Sequence, residues 1–496
     1  MGELRFRVTP PDLVNRLPGL KKAYVTGLDR TPGRMVVQLR PGLLICRRES
    51  PESGRLHVAW PVQGHGTLML NTATLPDRDE PYDLAVELAR GRLNDVRNQL
   101  ADWQQMGLPT RSEIDAHLRR SKHAFSVAVT SRDHPNRAAK ASAASLAASV
   151  TAGDLLIEDY TAWVLRKRQE FQSPLPTALG TALSGDMKKA PWTGPIAAAV
   201  NMARINCAWS RIAPTEGKLR WEEPDAQLAW CKSQKIIPTA GPIIDLRAGA
   251  LPDWLWLWQG DFDEIQSMAV DVTRAAVNRY RGKIAAWHLV SRPASGEILG
   301  LSEEEQVRLT ARVLQTARQA DPNAQLIVNF DRPWGEWLGS GPFQLGPLHL
   351  ADSLARADLG LSGIGLEIAP GFLGLGSVMR SLGDYSRLLD TFALVNLPLH
   401  VTLVAPSSAA ADPAADPNAK LDPSQWPRVP DDALQREFAE RWLSLTVAKP
   451  FVRSVVWGTF NDSAPHLYPN SGLIRADGTV KPVVEAMTAL RSAYLA

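Results

Sequence analysis

The chain has 496 residues, of which 45% are apolar and 22% charged, the balance of an ordinary globular protein. Its net charge of +3 is too small to indicate a nucleic-acid partner, and no apolar run is long enough to predict a membrane span. The three cysteines lack metal-binding spacing, which favours free thiols in a reducing compartment. The stretch MGELRFRVTPPDL has no apolar signal-peptide core, so we expect a cytoplasmic protein unless a leader has been removed.

The first segment consists of short β-rich runs separated by glycine, proline and serine turns. The runs are MVVQLRPGLLICRR, RLHVAWPV and GTLMLNTATL. They predict a small β-sandwich-like domain over residues 1–78. A carbohydrate-binding module and a domain that only packs against the rest both remain open, because a fold alone does not give a function.

Residues 79–173 have apolar residues at helical spacing, as in DLAVELARGRLNDVRNQLADWQQMG. This pattern predicts a helical segment of two to four helices. From residue 174 to 496 short apolar runs alternate with amphipathic stretches, such as 262–280, 303–320 and 431–447. That alternation predicts an α/β fold, a C-terminal (β/α)8 TIM barrel. The predicted strands are 178–183, 203–209, 236–244, 284–291, 325–331, 361–368, 397–404 and 453–459.

One stretch after the seventh predicted strand is too long and too polar for an ordinary βα loop. It spans residues 406–432 and is rich in Pro, Ala and Asp. It follows the strand end where barrel active sites lie. Two interpretations remain open: a mobile lid that carries Trp426, and a disordered surface insertion.

The fourth predicted strand carries a resemblance to a known family. The pattern RY-x-GKI-x-x-W-x-x-V, ending at Val290, is similar to the fourth strand of the glycoside hydrolase family 10 barrel, the xylanase family. LPDWL before this strand, and ADPNAQLIVN, SGIGLE, LPLHVT and VVWGTFND after it, resemble segments of that family in the same order. The resemblance covers roughly residues 176–493. It implies a family 10 barrel and a polysaccharide or oligosaccharide substrate.

The resemblance also implies where catalytic residues should lie, and this sequence departs from the pattern there. Family members take a general acid/base and a nucleophile, both Glu, from the ends of strands 4 and 7. The matching positions here are Arg292 and Leu403. Arginine stays protonated and leucine has no lone pair, so neither can serve a retaining glycosidase. Hydrolysis by the family's standard mechanism is therefore not expected.

Other acidic residues follow predicted strands and are candidate catalytic groups. Asp245 and Glu367 end the third and sixth strands, three strands apart like the family's own pair. They would form a rotated dyad in which burial or like charge holds one carboxyl neutral. The alternatives are an ion pair of Glu367 with Arg292 and a helix-cap or turn role for Asp245. Asp331 after strand 5 and Glu297 after strand 4 are further candidates.

Arginine and tryptophan side chains near the same strand ends are candidate substrate-binding groups. Arg292 and Arg247 could bind the carboxylate or sulfate of an acidic sugar, or could pair with the new acids. Aromatic rings could serve as stacking platforms for sugars. The candidates are Trp334, Trp337, Trp426 and Trp457, the last of which lies within a strand and also suits the core.

No metal-binding or nucleotide-binding motif is present, so we expect neither metal nor cofactor. Two functions remain open. The first is a glycoside hydrolase with a rebuilt active site, which predicts two carboxyl groups converging in a Trp-lined cleft. The second is a catalytically inactive barrel that binds carbohydrate or a partner. It predicts that arginines pair with Asp245 and Glu367, or that residues 406–432 close the mouth. The sequence does not indicate the oligomeric state.

Overall fold

The computed structural model describes residues 2–27, 30–131, 133–185, 187 and 190–495. Its first part contains two four-stranded sheets, with strand orders β4-β5-β1-β8 and β3-β2-β6-β7. Their strands are β1 (Gly2–Arg7), β2 (Tyr24–Thr26), β3 (Pro32–Gly33), β4 (Met35–Arg40), β5 (Leu43–Arg48), β6 (Arg55–Val62), β7 (Gly66–Asn71) and β8 (Tyr82–Asp83). A short helix, α1 (Leu13–Arg16), lies between β1 and β2. The predicted β-rich runs therefore form strands, while the division of the chain into domains stays a prediction.

Three long helices follow the sheets: α2 (Leu84–Gln105), α3 (Ser112–Thr130) and α4 (Pro135–Phe171). The Asp83 side chain caps α2 by accepting a hydrogen bond from the amide of Val86. Helices α3 and α4 pack closely through small residues, because Ser121 of α3 forms hydrogen bonds with Ser145 and Ser149 of α4. The Ala- and Ser-rich stretch 138–150 of α4 thus builds a tight helix–helix contact. No helix among the described residues is both long and apolar enough to cross a membrane.

Eight parallel strands form a closed barrel, which confirms the predicted (β/α)8 architecture. The circle closes where the last strand pairs with the first, Trp457 opposite Thr181. The strands are β9 (Ala178–Ala182), β10 (Met202–Ile205), β11 (Ile237–Ala240) with its extension β12 (Ile244–Asp245), β13 (Ala286–Ser291), β14 (Gln325–Asp331), β15 (Gly363–Ile368), β17 (Leu399–Leu403) and β19 (Val452–Trp457). All six residues of β13 are buried, as expected of a parallel strand covered on both faces.

The third barrel strand differs from its predicted range of 236–244. It stops at Ala240 and resumes at Ile244, so β11 and β12 are separate. Gly241 has a φ of 108°, and a Cβ there would lie 2.0 Å from the carbonyl oxygen of His288. The next residue, Pro242, has no N–H to donate to the ladder. The Gly-Pro pair therefore breaks the strand and lets Asp245 approach the barrel mouth.

Helices surround the barrel between its strands. They are α5 (Thr193–Ala199), α6 (Trp209–Ile212), α7 (Glu222–Ser233), α8 (Phe262–Arg279), α9 (Glu303–Ala320), α10 (Pro347–Arg356), α11 (Leu382–Ala393), α12 (Asp432–Ala448) and α13 (Val483–Tyr494). Local signals start several of them: Asp261 caps α8, and Ser302 with Glu305 forms a capping box at α9. A two-stranded antiparallel sheet, formed by β16 (Phe372–Leu373) and β18 (Lys420–Leu421), lies outside the barrel sheet.

Candidate functional site

The strand ends of the barrel bring four charged residues together. Asp245 ends β12, Asp331 ends β14 and Glu367 lies one residue before the end of β15. Arg292 follows β13 directly, with a φ of 62°. Because the strands are parallel, these side chains meet at one face of the barrel, the face that carries active sites in this architecture. A non-glycine residue with positive φ at such a place marks a position that the surrounding contacts fix.

The Arg292 guanidinium is the centre of this cluster. One terminal nitrogen donates to both oxygens of Asp245, at 2.9 and 2.8 Å, and the other donates to Glu367 at 2.5 Å. The Arg292 side chain is only 5% exposed. Burial disfavours the charged guanidinium, but Asp245 and Glu367 outweigh that cost and raise the pKa of Arg292 well above its usual value. One cation thus links carboxylates from the third and sixth strands.

The third carboxylate has its own arginine. Arg332 Nε lies 2.9 Å from Asp331, while the Nε of Arg292 lies farther away, at 3.9 Å. Arg332 also donates to the carbonyl of Ser295 and lies 4.8 Å from the centre of the Trp337 ring. Three of the four candidate catalytic acids are therefore paired with guanidinium groups.

Tyr468, in the loop after β19, is a member of the cluster that the sequence did not reveal. Its hydroxyl donates to Glu367 at 2.5 Å and lies 3.2 Å from the carbonyl of Leu375. Burial and the neighbouring Glu367 charge raise the pKa of Tyr468 well above its usual value. The hydroxyl therefore remains protonated near neutral pH and is the donor in its hydrogen bond to Glu367.

Beneath this cluster the barrel interior is polar. Asn329 accepts a hydrogen bond from His288 at 2.7 Å and donates one to Ser291 at 3.0 Å, fixing β13 against β14. Arg204 of β10 is buried and donates to Thr402 at 3.3 Å. Burial lowers the pKa of Arg204 to about 10, and the Glu367 charge opposes that shift. The guanidinium still carries its charge near neutral pH, so it adds a second cation below the mouth.

Residues 406–431 are fixed against the barrel mouth. Strand β18 of this segment pairs with β16, which lies in the loop after β15. Asp416 lies 2.6 Å from Arg247. The Trp426 ring is 4% exposed and its centre lies 5.7 Å from that of Phe438. The expectation of a disordered insertion is wrong, because these contacts order the segment. Trp426 is an anchor in the core, so its ring is not available to a sugar.

A second cluster joins this insertion to the loop after β19. Asp412 accepts from the ring of His466 at 2.9 Å, and Asp462 lies close to both. Two carboxylates and an imidazole are side chains that can bind a metal ion. However, the ammonium of Lys481 lies 2.5 Å from Asp462 and already supplies a positive charge there. The arrangement therefore works as an ion-pair network that fastens the insertion.

The Asp416–Arg247 contact gives a direct test of how the insertion is held. Asp416→Ala will loosen residues 406–431, because it removes the partly buried partner of Arg247. We expect limited proteolysis to cleave this segment at least several-fold faster than in the unmodified protein. Arg428→Gln is the matched control, since its pair with Glu437 is exposed. Equal cleavage of all three proteins would show that Asp416 does not hold the segment.

Comparison with known proteins agrees with this architecture. An endo-1,4-beta-xylanase of Agaricus bisporus is 26% identical over 160 residues, which are 31% of this chain and 46% of that protein. Endo-1,4-beta-xylanase C of Phanerodontia chrysosporium is 28% identical over 178 residues, or 34% of this chain and 43% of its own. The matching segment thus spans less than half the length of these relatives. The barrel resembles the family 10 glycoside hydrolases.

Solved structures of the same kind are also similar to this family 10-like chain. Xylanase 10B from Thermotoga maritima matches 65% of this chain and 97% of its own, with 15% identity and a TM-score of 0.49. A GH10 endoxylanase from a sugarcane soil metagenome matches 64% and 97%, with 17% identity and a TM-score of 0.47. No family model matches the sequence.

The family 10-like barrel places the remaining predicted residues apart from the cluster. Glu297 is exposed in the loop after β13. Trp457 is fully buried and donates to the carbonyl of Ser471 at 2.8 Å. The expectation that Trp457 is a platform is therefore wrong, because neither ring face is open. Trp334 and Trp337 are half-buried and keep part of their surface accessible.

Proposed function

We propose that this protein is a non-catalytic glycoside hydrolase-like barrel that binds polysaccharide. The single observation that carries the proposal is the Arg292 guanidinium bonded to both Asp245 and Glu367. A retaining glycosidase needs one protonated carboxyl and one free carboxylate about 5 Å apart. Here Arg292 donates to both oxygens of Asp245 and to one oxygen of Glu367, so its guanidinium lies between the two carboxyl groups that a dyad would need.

The resemblance to family 10 supports the same conclusion. The resemblance implies that Arg292 stands in for the family's general acid/base and Leu403 for its nucleophile. Arginine cannot donate a proton near neutral pH. Asp331 is paired with Arg332 and only 3% exposed, so its carboxylate is not accessible to a substrate. The first alternative, a dyad of Asp245 and Glu367, would need Arg292 to leave its position between them.

Polysaccharide is the proposed ligand because the two curated relatives are xylanases by name. An uncharged polysaccharide suits the barrel mouth better than an acidic polysaccharide. Arg247 is paired with Asp416, and Arg292 with its two carboxylates, so neither cation is left for a sugar carboxylate or sulfate. The half-buried ring of Trp337 offers an aromatic surface of the kind that sugars stack against.

The test combines hydrolysis and binding on soluble xylan and a broad glycan panel. We expect no release of reducing sugar, and retardation in xylan-containing affinity gels. Trp337→Ala should weaken the retardation several-fold, because it removes the aromatic surface. Trp163→Ala is the matched control, since Trp163 lies on helix α4 outside the barrel. Turnover that Glu367→Gln and Asp245→Asn both abolish would overturn the proposal and establish the dyad.

A further inference from the structure

A separate cavity lies between the N-terminal sheets and the outside of the barrel. Its volume is about 150 Å³. One wall comes from the sheet that contains β2, β6 and β7, through Tyr24, His57 and Met69. The opposite wall comes from the loop after β14, through Trp334, and from helix α11, through Phe392. Asp245, Arg292 and Glu367 do not line it, so it is distinct from the barrel mouth.

Positive charge dominates the lining of this cavity. Four arginines line it, and Asp384 is the one acidic residue among the described lining residues. The arginines are Arg30, Arg55, Arg380 and Arg387. His57 adds no charge, because burial lowers its pKa to about 3. Asp95 and Glu336 contact these arginines without lining the cavity. Even when both are counted with Asp384, the four arginines outnumber the three acids. This excess of positive charge around the cavity favours a ligand of negative charge.

The guanidinium donors of this lining are incompletely used. Arg387 lies 3.8 Å from Asp95 and 3.6 Å from Asp384, both longer than a hydrogen bond. Arg380 is 4% exposed and bonded to Glu336 at 2.8 Å. The Nε atoms of Arg380 and Arg387 are buried and lack a hydrogen-bond partner in the described part of the chain. Buried donors normally have partners, so these point to a missing acceptor.

Arg30 is the most available of the four cations. It forms no ion pair with any residue that the structure describes. Burial, together with repulsion from Arg387 and Arg55, lowers the pKa of Arg30. The three guanidinium groups therefore lie close enough to repel one another. Their mutual repulsion is what a bound anion would relieve.

The rest of the lining is apolar. Pro333, Trp334 and Leu348 face the cavity from the barrel side, and Met69 faces it from the sheet. The Trp334 ring carries Arg380 on one face, with the guanidinium carbon 5.0 Å from the ring centre. Small-molecule sites combine such apolar walls with a few convergent polar groups. The cavity thus offers one charged end and one apolar surface.

We propose that this cavity is a binding site for a small organic anion. Arg30 and Arg387 hold its carboxylate or phosphate group, and its compact body packs against Trp334 and Leu348. The ligand is held by charge and hydrogen bonds at one end and by apolar contact at the other. The site is independent of polysaccharide binding at the barrel mouth, so either proposal can fail without the other.

Isothermal titration calorimetry with four probes tests the site. Glucuronate carries a carboxylate and glucose 6-phosphate carries a phosphate. Glucose is the uncharged control, and inorganic phosphate is the control that has the charge but no sugar ring. We expect at least one organic anion to bind at least tenfold more tightly than both glucose and inorganic phosphate. The anion that binds identifies the favoured acid group. Absence of binding by both organic anions, or equal binding of glucose, would overturn the proposal.

Variants locate the binding within the protein. Arg30→Gln and Arg387→Gln should each weaken binding of the organic anion at least tenfold. Arg30→Gln should leave the melting temperature unchanged or raised, because it removes a repelled cation without an ion pair. Arg120→Gln, an exposed arginine on helix α3, is the matched control and should bind like the unmodified protein. Unchanged affinity in Arg30→Gln and Arg387→Gln would show that the anion binds elsewhere.

Discussion

Arg292→Met is expected to lower the free energy of unfolding by about 3–5 kcal/mol, the range for removing one partner of a buried ion pair. Methionine keeps the length of the side chain but removes the charge and all donors. Asp245 and Glu367 would then lie close together at the mouth without their shared cation. The large loss of unfolding free energy arises because two buried carboxylates are left without a cation. Urea denaturation at pH 7 would measure this loss.

The pH dependence of that loss separates charge from packing. A neutral carboxyl group costs less to bury than a carboxylate, so the loss in Arg292→Met should be smaller at pH 5 than at pH 7. Arg292→Lys should lie between the two proteins, because it keeps the charge without the bidentate fork. Arg428→Met is the control, with an expected loss of at most about 1 kcal/mol, because its pair with Glu437 is exposed. A loss for Arg292→Met that is small and independent of pH would contradict the central role of Arg292.

Acid sensitivity is the second large expected effect, and it arises from three buried histidines. Burial lowers the pKa of His57 to about 3 and that of His400 to about 4. Burial, with Arg204 and His400 nearby, lowers the pKa of His288 well below its usual value. Each ring is neutral in the folded protein, while the unfolded chain binds a proton below about pH 6.5. Stability is therefore complete above pH 6.5 and falls as the pH drops towards the folded values.

The size of this effect follows from proton linkage. His57 and His400 should each cost about 2 kcal/mol between pH 7 and pH 5, or about 4 kcal/mol for the two, and His288 acts in the same direction. That is a large part of the stability of a typical protein, roughly 5–15 kcal/mol. His400→Asn should reduce the loss by about 2 kcal/mol, and the exposed control His123→Asn should not change it. Urea denaturation at pH 7, 6 and 5 measures each value, and a flat profile over that range would contradict the expectation.

The fold was accessible from the sequence because each barrel strand is a short buried apolar run. Each of the eight predicted ranges overlaps an observed strand, and the break at Gly241 was missed because a strand pattern continues on both sides of it. The predicted ion pair between Arg292 and Glu367 is present. The pairing of Asp245 with an arginine was also one of the open alternatives, and it is present as the contact with Arg292. Its position depends on the register that sets Asp245 opposite Ser291, which no sequence pattern reveals.

The positions of Tyr468 and Trp426 could not be predicted from the sequence for a different reason. Tyr468 bonds to Glu367 from 101 positions away, out of an irregular loop without periodicity. Trp426 lies in a polar segment, and such a segment predicts an exposed ring. It is buried because helix α12 supplies Phe438 as a packing partner. Long-range contacts of this type depend on how loops fold back, whereas apolar periodicity reports only the regular elements.

The hydrophobic interior has a consequence for how the molecule comes apart. One continuous cluster includes Phe6 from the N-terminal sheets, Trp103 from the helices and Leu326 from the barrel. Segments that share buried surface in this way lose their contacts together. We therefore expect the sheets, helices and barrel to unfold together, so that heat melts the chain in one calorimetric transition. On this expectation, a barrel without the first 171 residues would be less stable than the whole chain.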